Sequence, residues 1–193
     1  MPLTRPLLAC CALVALWGSP ALAGEARCLW NSLAPATQDR LLATYAGAGA
    51  AGLVEVKLES AEARRQMKRC AELGGVVDPK RAVRAMGLAL QGFVAQRGAA
   101  RRLTALGAHS EQQLDLAWAE LGPEKRAQLH LLAERRSEGR SADASVEASP
   151  SMDELIAILD RASLLSRADP GVQRELGAYV AGRSLQEAFE PRF

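Results

Sequence analysis

The chain has 193 residues, a formal net charge of +2 and 49% hydrophobic residues, of which few are aromatic. So even a charge balance argues against nucleic acid or an anionic membrane as a partner held by bulk attraction. The length suffices for one domain with a real core.

The first 28 residues carry the clearest signal. Arg5 gives a short basic start, Leu7 to Trp17 is an apolar run, and Gly18-Ser19-Pro20 breaks it. Ala21-Leu22-Ala23 then supplies the small–x–small pattern of a signal-peptidase site. The reading is a cleaved signal peptide over 1–23 and a mature chain over 24–193. An 11-residue run is too short to span a bilayer, which takes about 20 residues. The rival, a lipid-modified Cys10, would leave almost no apolar segment ahead of the cut. These features place the protein in the periplasm, or secreted, without a transmembrane segment in the mature chain.

Downstream, abundant Ala, Leu, Arg and Glu with regular Gly and Pro punctuation reads as helices. A lead-in with Cys28 and Trp30 precedes a helix over about 35–45. Ala46 to Gly52 reads as a turn, and a second helix follows over about 53–73. The Val54-Val56-Leu58 alternation has no second strand to pair with, so helix is preferred there. Asp78-Pro79 is a cap followed by Pro at the first helical position. Val83, Met86, Gly87, Leu90 and Val94 then form a buried stripe.

Gly98 and Gly107 bracket a short helix. Ser110 caps another, with Leu114, Ala117, Trp118 and Leu121 on one face. Gly122-Pro123 begins a helix to about Ser137, and residues 137–151, Ser-rich and aperiodic, read as a flexible loop. An amphipathic helix from Met152 and one opened by Asp169-Pro170, carrying Val172, Leu176 and Val180, complete the chain. The expected fold is all-α: a compact bundle of seven or eight short helices.

Two spacings suggest two related three-helix halves. Trp30, Leu33, Pro35 and Leu41 recur as Trp118, Leu121, Pro123 and Leu129, and Gly87 is echoed by Gly177. The competing explanation is that Ala/Leu/Arg-rich helices match one another easily and that Asp-Pro is a common helix start.

Cys28 and Cys70 are the only cysteines of the predicted mature chain. A hairpin pivoting at Gly49 would set them at equal heights, and export would deliver them to an oxidising compartment. A structural disulfide is expected. His109 precedes a cap, and His130 with Glu134 reads as an ordinary i, i+4 surface pair. Carboxylates such as Glu111 and Asp115 read as helix surface, and Trp30 and Trp118 as core anchors. No metal-ligand spacing, nucleophile motif or phosphate loop stands out, so no catalytic residue, metal or cofactor is expected.

The functional expectation is an exported, non-enzymatic module that binds another envelope protein, with an inhibitor or immunity role as one version. The alternatives are a helical carrier of an apolar small molecule and, third, a cell-wall hydrolase. A large apolar cavity would favour the carrier, and a cleft of converging carboxylates or histidine would favour the enzyme.

Overall fold

The computed structural model describes residues 26–54, 65, 69–70, 78–138, 153–154, 157 and 169–192. The predicted signal peptide, most of the predicted helix over 53–73, and nearly all of the Ser-rich loop and of the helix after it lie outside these residues. The described residues are mostly helical, with no strand among them. Six α-helices follow one another: α1 (Ala26–Ser32), α2 (Pro35–Val54), α3 (Pro79–Ala105), α4 (Glu111–Glu120), α5 (Pro123–Ser137) and α6 (Pro170–Phe189). A 3-10 turn, Glu190–Arg192, closes the described chain. None of the described helices is long and apolar enough to cross a membrane.

The number differs from the expected seven or eight: two predicted helices, over 53–73 and from Met152, fall largely outside the described residues, and the described helices are divided differently from the sequence reading. The lead-in to α2 is itself helical, as α1. The proposed turn over 46–52 shrinks to one residue: α2 runs through it and departs from helical geometry only at Gly49, φ 65° and ψ −160°. Only glycine takes that conformation readily. The proposed short helix after Gly98 is instead the last part of α3, a 27-residue helix. Gly98 does not break it because this glycine serves packing. A Cβ there would lie 2.7 Å from Cγ of Tyr45, so its absence seats the Tyr45 ring on the α3 backbone.

Helix starts follow the sequence closely. The Asp78 side chain accepts from the backbone N–H groups of Lys80 and Arg81. Asp169 caps α6 the same way, through Gly171 and Val172. Ser110 and Gln113 satisfy each other's backbone donors in a capping box.

The core is built on α3 and α6, which cross in backbone contact. A Cβ on Gly92 would sit 2.5 Å from the Gly182 carbonyl oxygen and 2.6 Å from Gln186 N. One on Gly182 would sit 2.6 Å from Gln96 N and 2.7 Å from the Gly92 oxygen. The contact is reciprocal, as a local twofold axis between the two helices would make it. Met86, Leu90 and Val94 line the buried face of α3, as expected. Val83 does not: it is 43% exposed, and Ala82 and Ala85 take the core-facing positions beside Met86.

Candidate functional site

Charged and hydrogen-bonding side chains stand on α6 one turn apart: Glu175, Tyr179, Arg183 and Glu187. This i, i+4 spacing aligns them in a column along one face. The lower end meets α2 and α3. Glu175, a buried carboxylate, accepts from Tyr45 Oη at 3.0 Å and from Arg102 Nη1 at 2.7 Å. Arg102 also donates through Nη2 to the Ala46 carbonyl, one turn before the Gly49 kink, and lies 5.4 Å from the Tyr45 ring centre. One carboxylate thereby links α2, α3 and α6.

The upper end meets α4 and α5. Tyr179 donates to Asp115 Oδ1 at 2.9 Å, and Arg183 reaches the same oxygen at 3.4 Å. Arg183 Nε donates to Glu187 Oε1 at 2.6 Å, and the Trp118 indole N–H donates to that oxygen at 2.9 Å. His130 Nε2 lies 3.2 Å from the other oxygen, Glu187 Oε2. Since a carboxylate only accepts, the geometry places the imidazole proton on Nε2.

The electrostatics follow from this crowding. Burial pushes both tyrosine hydroxyls well above their ordinary range, and the neighbouring carboxylate adds to it, Glu175 at Tyr45 and Asp115 at Tyr179. Burial alone would raise Glu187, but hydrogen bonds from His130 and Arg183 and their charges outweigh it, leaving its carboxyl below the usual range. Glu187 in turn holds the Arg183 guanidinium charged against its own burial.

Two surface assignments are corrected here. His130 pairs with Glu187 across helices, because α5 turns that edge toward α6. Asp115 is half exposed, yet it is tied to Tyr179 and Arg183 rather than lying free on the α4 surface. His109 is buried beside the Ser110 cap, with its carbonyl accepting from Thr104 Oγ1. Trp30 and Trp118 are both buried, the first 5.6 Å from Phe93 between ring centres. The structure brings Cys28 and Cys70 to a Cα–Cα separation of 6.1 Å, within the range that a disulfide spans. Among the described residues there is no cluster of three or more His, Cys, Asp or Glu side chains that could hold a metal.

A second feature lies between α2 and α3. A groove of about 370 Å³ opens there, with Leu42, Ala43, Ala46 and Ala105 on its walls beside Tyr45. Asp39 stands on the α2 side, and Arg101 and Arg102 on the α3 side.

Sequence reasoning passed over the α6 column and the groove arginines. The signal for the column was present as four polar residues at strict i, i+4 spacing between Val172 and Phe189. Comparison with protein families, with curated proteins and with solved structures finds no match to this chain. The sequence pattern, the fold and these two features are therefore the basis for a functional reading.

Proposed function

We propose that this chain is an exported, non-enzymatic module that binds another protein of the cell envelope. The observation that carries the reading is the α2–α3 groove, which is open, apolar-walled and flanked by charged side chains. Such a surface suits part of a protein partner better than an enclosed apolar ligand, which needs burial on most sides. This weighs against the carrier.

The convergence of Asp115, Glu187 and His130 favours the hydrolase alternative. Against it, Glu187 accepts three donors from its own chain and Asp115 accepts two, which is the pattern of an interhelical strut. Export rests on the N-terminal pattern, and duplication of a three-helix unit is part of the proposal. The reciprocal Gly92–Gly182 contact supports that duplication.

The test is capture. Tagged residues 24–193, incubated with periplasmic extract, should recover an envelope protein in near-stoichiometric amount, identified by mass spectrometry. Recovery no greater than with an unrelated tagged periplasmic protein would sink the reading.

A further inference from the structure

We propose that the α2–α3 groove receives a peptide segment of the partner in which an acidic and a basic residue flank an aliphatic one. The proposal rests on the protein-binding reading above and adds the chemistry of what is bound. At about 370 Å³ the groove is near the lower end of ligand-site volumes, which run from roughly 300 to 1,000 Å³. Its walls offer Leu42, Ala43, Ala46 and Ala105 to an aliphatic side chain.

The charges are set apart in a way that fixes direction. Arg101 is exposed and makes no ion pair among the described residues. Arg102 beside it is held by Glu175, by the Ala46 carbonyl and over the Tyr45 ring, so its charge is committed within the fold and Arg101 is the guanidinium left to a ligand. Guanidinium groups match carboxylate geometry, which assigns the acidic residue to the α3 side. Glu175 does not compete for that position: its side chain is 8% exposed and already occupied by Tyr45 and Arg102. Asp39 repels an acid on the α2 side and complements a base there. Polarity of this kind rejects the reversed segment, because like charges would then face each other on both sides.

The experiment titrates the ¹⁵N-labelled mature protein with the peptide Ac-Glu-Leu-Lys-NH₂ and follows amide shifts. Shifts should concentrate in residues 39–46 and 98–105. Replacing the peptide's Glu by Gln should weaken binding about fivefold, the scale of an exposed ion pair. Arg101→Glu should abolish that difference between the two peptides while leaving the melting temperature unchanged. Absent shifts, shifts elsewhere, or equal binding of both peptides to the unaltered protein would overturn the proposal. Capture of the partner by Arg101→Glu at the unaltered level would also overturn it while leaving the protein-binding reading intact. Failure of capture with normal peptide shifts would do the reverse.

Discussion

The helix set α1–α3 and the set α4–α6 solve one packing problem in two ways. In each, a tryptophan from the short first helix is buried against the long third helix. Trp30 meets the Phe93 ring and lies 6.0 Å from the Arg97 guanidinium, while Trp118 donates its indole N–H to Glu187. The polar column Glu175, Tyr179, Arg183 and Glu187 falls ninety residues after Ala85, Ala89, Phe93 and Arg97. Three of the four earlier positions are apolar. A long central helix therefore does not need a polar column to pack here. What the column adds in the second set is hydrogen-bonded registry between α6 and its neighbours, a constraint that apolar contacts leave loose. The first set has a covalent candidate for the same task, the Cys28–Cys70 pair.

That contrast yields the largest expected effect. If the cysteine pair is the staple of the first set, reduction should lower stability by about 4 kcal/mol at the upper end of the loop-entropy range. The native protein should show no free thiol beforehand. Denaturant melts with and without reductant, together with thiol titration, check both points. Reactive thiols in freshly isolated protein would remove the staple from the comparison.

The shared crossing comes next. Gly92→Ala and Gly182→Ala each press a methyl group onto backbone atoms of the opposite helix, which cannot swing aside as a flexible side chain would. Each should cost about 2–3 kcal/mol, similar for both if the contact is as reciprocal as the distances indicate. Chemical denaturation would measure this, and a large inequality would break the equivalence of the two helices.

A smaller difference should separate the tryptophans. Trp118→Phe removes a donor from Glu187 as well as packing volume, whereas the Trp30 ring meets Phe93 and Arg97. Trp118→Phe should exceed Trp30→Phe by about 1 kcal/mol, the usual worth of one hydrogen bond, in the same melts. Equal losses would mean that the indole N–H contributes nothing to the upper network.

The pH effects are the mildest. The two tyrosines of the chain are Tyr45 and Tyr179, and both are held neutral beyond the normal range. A raised tyrosine pKa contributes stability that is present below the unfolded value of about 10 and lost as pH climbs through the folded one. Ultraviolet titration of the native protein should thus show little tyrosinate about one unit above 10, with normal titration in urea. Glu187 has the opposite sign. Its lowered pKa gives stability that is present above the unfolded value of about 4.3 and lost as acid passes through the folded one. Glu187→Gln should flatten that acid limb.

Much of this architecture was legible where local rules decide. Asp78, Ser110 and Asp169 cap helices because a short polar side chain beside orphan N–H groups has a local reward. The face Leu114, Ala117, Trp118 and Leu121 reads directly from its period. Gly98 misled because a glycine that ends a helix and one that admits a neighbouring ring look alike until Tyr45 is in place. The α6 column was passed over for a related reason. Spacing shows that Glu175, Tyr179, Arg183 and Glu187 share a side, but only the arrival of α4 and α5 makes part of that side an interior. Arg101 and Asp39 come together only through the packing of α2 on α3, which no local pattern encodes.

The central claim is a division of labour: the α6 column holds the helices together, and the α2–α3 groove does the binding. Parallel capture from periplasmic extract with Glu187→Gln and Arg101→Glu, each at a temperature where circular dichroism shows it folded, tests this most directly. The account predicts that Glu187→Gln melts lower and recovers the partner at the unaltered level, while Arg101→Glu melts normally and loses it. Loss of the partner with Glu187→Gln and full recovery with Arg101→Glu would contradict it.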